Sequence, residues 1–304
     1  MDDKFNIDRN ELITFLNPLV SEGLVIQEKD FVNSESFGER NVRTVEFFQS
    51  FFSSQNTTQN MMEKLLGSSI LILGLGGVGT WVVEMLARLG VKKLVIIDPD
   101  VVEISNIQRQ AIFCLNDIGR KKIDVVSEYC LSVSKEIEIV AFSEHISTAK
   151  SLVCKIKDVD LVINCADKPD VDITNAIVTR ACFKKSTPHI LCGGYDGHSS
   201  FLGQTVIPHK TSCWFCYADS GIYEDMLDGF EITERKNGNL VGGTICPIGV
   251  QIASFQVQEA VRLLTGCSEP VMINRKAEVD FQNLSYSFTE IPKLIDCKIC
   301  GVKK

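Results

Sequence analysis

Ile70-Leu71-Ile72-Leu73-Gly74-Leu75-Gly76-Gly77-Val78-Gly79 runs from four continuous apolar residues straight into a glycine-rich turn. An unbroken apolar run of this length reads as a strand covered on both faces, as in a parallel sheet. Trp81 to Leu89 then reads as a helix, so the stretch is strand, turn, helix. Gly74, Gly76, Gly77 and Gly79 let the backbone turn sharply and approach a phosphate, whose charge is favoured at a helix N-terminus. Asp98 ends the next apolar run, Leu94-Val95-Ile96-Ile97, nineteen residues after Gly79. An acid there can bond ribose hydroxyls. Alone, the pattern fits NAD, FAD, S-adenosylmethionine or ATP, and a purely structural glycine turn is the plainer alternative.

The rhythm continues outward. Ile123 to Leu131 reads as a helix and Asp160-Leu161-Val162-Ile163-Asn164 as a strand, which implies right-handed crossovers and a parallel sheet. A short helix over Met61 to Leu66 precedes the first strand, after the polar stretch 53–60. Beyond about residue 190 the pattern changes. His189 to Cys192 and Ser200 to Ile207 read as strands, Val250 to Leu264 as a helix, and Val271 to Phe281 with Leu284 to Thr289 as a closing hairpin. The expected class is α/β: a Rossmann-like, mostly parallel sheet continued by antiparallel strands.

Residues 1–45 differ from the main domain, 46–304. Leu12, Ile13, Phe15, Leu16, Leu19 and Val20 recur at helical spacing, and Gly23 permits a turn into a short strand, Leu24-Val25-Ile26. A unit this small cannot bury itself. It reads as a packing extension or as a small peptide-recognition module.

The chain has 304 residues, is 45% hydrophobic and carries a formal net charge of −8. An acidic balance argues against duplex nucleic acid as a partner. No apolar stretch is long enough to span a bilayer, and the N-terminus lacks the apolar run of a signal peptide. Twelve cysteines point to a reducing cytoplasm, where thiols bind metal or fill cores. Four fall in two pairs, Cys213 with Cys216 and Cys297 with Cys300. Each pair has ligand spacing for one edge of a tetrahedral site, and together they form the closed shell of a structural zinc. The alternative is two unrelated pairs of buried thiols, or a redox pair.

The segment after Asp98 holds a polar cluster with Asn106, Arg109 and Gln110, and Lys122 opens a helix thirteen residues after Arg109. A dinucleotide has its one pyrophosphate held by the glycine turn already. A triphosphate carries more charge, and its departing pyrophosphate needs cations. Asp167 follows the strand ending at Asn164, where a carboxylate can hold Mg²⁺ on phosphates. The plainer reading of Arg109 and Lys122 is solvated surface charge.

At these residues the sequence resembles the ubiquitin-activating-type adenylyltransferases, in the bacterial branch that holds the ThiF, MoeB, HesA and MccB types. The resemblance runs from about Arg40 to the last cysteine. It rests on the GxGGxG turn, the Ser-Asn-x-x-Arg-Gln segment, the lysine after it, the Asp after the next strand and both cysteine pairs. It implies ATP as nucleotide, with Asp98 for ribose, Arg109 and Lys122 for phosphates, Asp167 for Mg²⁺, and Asn106 and Gln110 in the same pocket. Arg43 matches an arginine that reaches into the partner subunit's active site, which implies a homodimer. The implied reaction joins a C-terminal carboxylate to the α-phosphorus of ATP and releases pyrophosphate. The carboxylate is already a nucleophile, so no general base is needed and the four histidines stay unassigned.

Some relatives carry a further reactive cysteine between the zinc pairs, whereas residues 217–245 contain none. Cys246 stands at the start of the closing helix and reads as a small buried residue more readily than as a nucleophile. Core filling is the default for Cys114, Cys130, Cys154, Cys165, Cys182, Cys192 and Cys267. The residues before Arg43, the aromatic segment Glu46-Phe47-Phe48-Gln49-Ser50, and Pro208 to Cys213 resemble the MccB type. That type adenylylates a short ribosomal peptide in modified-peptide biosynthesis. The alternatives are a ubiquitin-like sulfur carrier ending in Gly-Gly, a catalytically silent peptide-presenting scaffold, or an NAD-dependent oxidoreductase.

Overall fold

A computed structural model of the chain describes residues 8–22, 32–51, 57–218 and 243–301. At its centre is β1 (Ser69–Leu73), with all five residues buried. Parallel ladders join β1 to β2 (Lys93–Ile97), and β2 to β3 (Glu138–Phe142). On its other side β1 pairs in parallel with β4 (Leu161–Asn164), and β4 with the short β5 (His189–Ile190). A second sheet holds β6 (Tyr195–Asp196), β7 (Ser199–Leu202), β9 (Arg275–Asp280) and β10 (Ser285–Glu290), antiparallel throughout and ordered β10-β9-β7-β6. Strand β8 (Thr205–Val206) instead joins the first sheet, antiparallel to β5, giving the order β3-β2-β1-β4-β5-β8. The winding reverses between β1 and β4, and such a switch point opens a crevice at the strands' carboxyl ends.

Alternation along the strands feeds two cores. Ile70, Ile72, Leu94, Ile96, Leu161 and Ile163 pack on one face with α3 (Thr58–Gly67), α4 (Gly79–Leu89), α5 (Lys122–Val133) and α8 (Cys246–Thr265). Leu71, Leu73, Val95, Ile97 and Val162 pack on the other with α6 (Ala149–Val153), α7 (Val171–Lys185) and Trp214. Because both faces are covered, the central strands are apolar along their length apart from Ser69, Lys93 and Asn164 at their ends. One buried acid ties α8 into this frame. Glu259, 2% exposed, accepts from Thr205 Oγ1 (2.8 Å), Val271 N (2.8 Å), Met272 N (2.9 Å) and Arg262 Nη1 (3.0 Å).

The α/β class and the central elements follow the sequence reading, but four local expectations change. Ser200 to Ile207 is not one strand: it divides into β7 and β8, which serve different sheets. Gly203 lies at the division, and a Cβ there would overlap the carbonyl oxygen of Leu191. The chain crosses so close to the backbone leaving β5 that no side chain fits. For the same reason the ladder at β5 covers only His189–Ile190, after which Leu191 N donates to Gln204 O (2.9 Å).

The cysteines divide as well. Cys130, Cys165, Cys182 and Cys192 are buried, whereas Cys114 and Cys154 are exposed and Cys267 is half-buried. Cys114 serves a turn, its Sγ donating to Asp117 Oδ2 (3.1 Å). Finally, α1 (Arg9–Ser21) forms where its spacing predicts, but none of its residues is buried. The expected strand Leu24 to Ile26 lies outside the described residues. The division at residue 45 falls within α2 (Val42–Gln49), which buries Val45 and Phe48. Among the described residues no helix is long and apolar enough to cross a membrane.

Candidate active site and metal centre

A cavity of about 440 Å³ opens at the carboxyl ends of β1, β2 and β4. Gly74, Gly76, Gly77, Asp98, Asn106, Arg109, Gln110, Lys122 and Asp167 all line it. The turn that forms its floor has no room for a side chain at Gly74 or Gly79. Gly74 holds φ +91°, and a Cβ on Gly79 would overlap the Gly74 carbonyl oxygen. This closes the turn directly against the N-terminus of α4.

Asp98, 5% exposed, braces that turn from β2. Its Oδ2 accepts from Leu75 N (2.6 Å) and its Oδ1 from Asp100 N (2.8 Å). Each oxygen keeps a second lone pair for an incoming hydroxyl. Asn106 is buried and organises the next loop, its Oδ1 accepting from Glu103 N (3.0 Å). Arg109 is fixed at both ends: Trp81 Nε1 donates to its carbonyl (3.1 Å), and its Nη1 donates to Ser105 O (2.5 Å). Gln110 is 7% exposed, and its Oε1 has no hydrogen-bond partner among the described residues. An orphaned acceptor inside a polar pocket fits a ligand that donates there.

Lys122 begins α5 and is 5% exposed. Its Nζ lies 3.3 Å from Asp100 Oδ2, and Lys168 Nζ lies 3.6 Å from the same oxygen. Asp100 therefore sits between two ammonium groups at the pocket wall. Asp167 is exposed in the lining, on the loop that leaves β4. A polar network sets that loop. Asn164 Oδ1 accepts from Ala166 N (3.2 Å), and its Nδ2 donates to Thr174 Oγ1 (3.1 Å) and Asn175 Oδ1 (2.8 Å). Gln256 of α8 donates to Asn164 O (3.1 Å).

Two more groups meet Asp167 electrostatically. Burial first, then the Asp167 charge, pushes the Cys192 thiol up to about 12. The Tyr195 phenol, which lines the cavity, is raised by the same two causes in the same order, with Arg109 opposing. Cys165, also in the lining, is raised by burial and then by Cys192. Thiols held protonated in this way are poor nucleophiles, so the cavity lining supplies Arg109, Lys122 and Lys168 beside the carboxylates of Asp98, Asp100, Glu103, Glu144 and Asp167, but no thiolate.

Sequence reasoning passed over Asp100, Lys168, Tyr195 and the Asn164–Thr174–Asn175–Gln256 network. Asp100 lay inside the polar cluster but had no stated role. Tyr195 and Gln256 had no signal, since long-range folding alone brings them to β4. Arg43 lies apart from this cavity. Its side chain is 91% exposed and pairs with Glu46 (2.8 Å). It borders a separate apolar cavity of about 490 Å³, with Phe47 and Phe48 of α2 and Val257 and Val261 of α8. Cys246 is half-buried at the first position of α8 and does not line the nucleotide cavity.

Cys213, Cys216, Cys297 and Cys300 converge, with all four sulfurs within 4.8 Å of one another. Cys213 Sγ lies 3.7 Å from Cys297 Sγ, and Cys216 Sγ lies 3.3 Å from Cys300 Sγ. Proton competition inside the cluster favours one thiolate: hydrogen bonding from Cys213 foremost lowers Cys216 to about 4. Cys300 is pushed up to about 12, by burial before anything else. A soft, tetrahedral donor set of this kind suits zinc, whose charge favours all four thiolates.

Residues 49–299 match the ThiF family. The sulfur carrier protein ThiS adenylyltransferase of Escherichia coli (strain K12) is 28% identical over 242 residues, covering 79% of this chain and 88% of that protein. Its namesake in Bacillus subtilis (strain 168) is 30% identical over 253 residues, covering 79% of this chain and 67% of that one. In fold, the crystal structure of E. coli MccB with MccA-N7isoAsn superposes with a TM-score of 0.83 at 23% identity, over 99% of this chain and 84% of that one. The structure of PaaA gives a TM-score of 0.74 at 22% identity, over 95% of this chain and 84% of that one. The glycine turn, the crevice that holds Arg109, Lys122 and Asp167, and three of the four clustered cysteines lie within the matched span, with Cys300 one residue beyond it, and the chain belongs to the ThiF family, as an enzyme of the adenylyltransferase class.

Proposed function

We propose that the enzyme adenylylates the C-terminal carboxylate of a short ribosomal peptide, using ATP and releasing pyrophosphate. The observation that carries this reading is the cavity itself. It combines Arg109, Lys122 and Asp167 over a glycine turn and offers no thiolate. The peptide carboxylate attacks the α-phosphorus as the bond to the β-phosphate oxygen breaks, and pyrophosphate carries away that electron pair. Two anions must meet, so cations are what the site has to supply.

Asp98 accepts the ribose hydroxyls through its remaining lone pairs, and Gln110 Oε1 accepts a further donor. Arg109 and Lys122 neutralise the phosphates. Asp167 would hold Mg²⁺, which spreads the phosphate charge when bound; one carboxylate plus phosphate oxygens is a usual magnesium set. Arg43, exposed and away from its own chain's cavity, acts in the site of a second copy in a homodimer. The cysteine cluster holds zinc as a closed structural site. The segment ahead of Arg43 helps to hold the peptide. Fold likeness to MccB, over nearly the whole chain including that segment, supports the choice of a peptide.

A second reading has its own support. The relatives with higher sequence identity are named for the sulfur carrier ThiS, which favours a carrier protein ending in Gly-Gly. ATP–pyrophosphate exchange separates the two. Exchange driven by a short peptide ending in Asn, and not by a Gly-Gly carrier, is the expected result. The reverse result overturns the peptide reading, and no exchange with either leaves the scaffold reading standing.

A further inference from the structure

We propose that a second, basic groove on the α6–α7 face is a docking site for an acidic, partly apolar segment of a partner protein. The groove encloses about 510 Å³. Its ionisable lining is Lys150, Arg180, Lys184, His209 and Lys298, with no aspartate or glutamate. That is a local reversal in a chain of net charge −8. Lys150, Lys184 and Lys298 are exposed at the rim, and the half-buried Phe183 and Ile299 supply apolar surface between them.

Arg180 carries the argument further. Its guanidinium stands 5.2 Å from the Phe215 ring, and its Nε is buried with no hydrogen-bond partner among the described residues. A buried guanidinium N–H left unpaired marks a place where an external acceptor belongs. The planar fork of arginine favours a carboxylate that takes two parallel hydrogen bonds. The wall opposite is Lys298-Ile299, the two residues between Cys297 and Cys300. The cysteine cluster thus borders the groove and lies apart from the nucleotide cavity, whose lining holds none of its four members.

The apolar surface is what selects the occupant. A phosphate chain or nucleic-acid backbone would satisfy the cations but leave Phe183 and Ile299 uncovered. A segment alternating Asp or Glu with Leu or Phe satisfies both. The groove is also placed to influence the active site: His145 and Ile146 line the nucleotide cavity, and Thr148 and Lys150 line this one.

The test uses the full-length, metal-replete protein and a fluorescein-labelled decapeptide alternating Glu with Leu and Phe. Fluorescence anisotropy should report binding that weakens with salt. Lys184→Glu and Arg180→Gln should each weaken it at least about tenfold. Neither residue lines the nucleotide cavity, so ATP–pyrophosphate exchange and the melting temperature should stay as in the wild type. If Arg180→Gln melts early, Lys184→Glu paired with Lys150→Glu, both on exposed side chains, replaces it. Absence of peptide binding at millimolar protein overturns the proposal, as does binding that survives the charge reversals. Equal or tighter binding of tripolyphosphate or a single-stranded DNA decamer overturns the protein-segment assignment in favour of a phosphate ligand.

Discussion

Asp98 braces the glycine turn and, in the proposed reaction, also binds the ribose. Its buried carboxylate accepts from Leu75 N at 2.6 Å and from Asp100 N at 2.8 Å, so it fixes the glycine turn before any nucleotide arrives. Hydrogen bonds to a charged acceptor contribute about 1.5–3 kcal/mol each. Asp98→Ala removes both and strands two backbone donors, although the open side of the cavity lets water recover part of the loss. The expected destabilisation is about 2–5 kcal/mol. Asp98→Asn keeps one acceptor and turns an NH₂ toward the other donor, for an expected loss of about 1–3 kcal/mol. Urea unfolding followed by circular dichroism reads these values as shifts of the midpoint at constant slope. ATP–pyrophosphate exchange measures the nucleotide role on the same samples, and both variants should lose at least about tenfold in apparent ATP affinity. A wild-type unfolding midpoint for Asp98→Ala, with only ATP binding lost, would refute the structural half of this account.

Asp167→Asn and Arg109→Ala should each lower exchange by about 10²–10³-fold while leaving the circular dichroism spectrum unchanged; near-normal exchange in either removes that residue from the reaction. Gly79→Ala should cost about 1–3 kcal/mol or more by forcing the turn away from the Gly74 carbonyl, read as a lower urea midpoint. Cys300→Ser should release bound zinc, measured by elemental analysis, and lower the melting temperature by about 2–4 °C per kcal/mol lost. A metal-free variant with full stability and activity would show the cluster to be dispensable. His189 is 0% exposed and is pushed down to about 4, chiefly by burial, so it folds neutral. The unfolded chain takes up that proton at about 6.5, so stability is present above about 6.5 and falls as pH drops toward 4, by about 3 kcal/mol in full. His189→Gln should flatten that part of the profile; an unchanged slope between those pH values would assign it to other groups.

Strands β1, β2 and β4 were legible because each holds an apolar run next to a helix period, and burial on both faces leaves little other use for such a pattern, whereas β3, whose burial is partial, gave no such signal. Arg109 and Lys122 were legible as candidates because they fall in and after the polar segment that follows Asp98, and both line the cavity. The residues that brace the site were not. Asn164, Thr174, Asn175 and Gln256 are ordinary polar residues in sequence, and only the meeting of β4, α7 and α8 makes them a network. Ser200 to Ile207 misled because apolar residues stand on both sides of Gly203, while the crossing at Gly203 is a contact with a distant backbone. The exposed thiols of Cys114 and Cys154 were misread because composition says nothing about which cysteines reach the surface.

Asp100 gives the nucleotide cavity a resident competitor. Its carboxylate occupies the position between Lys122 and Lys168, so a polyphosphate bound at Lys122, as proposed, would compete with it for that cation. Affinity is then a difference between two anions for one cation, which caps how tightly a phosphate can be retained. The same exchange works in reverse after turnover. As pyrophosphate loosens, the tethered carboxylate is already at hand to take its place, and an internal rival at high effective concentration hastens departure of the product.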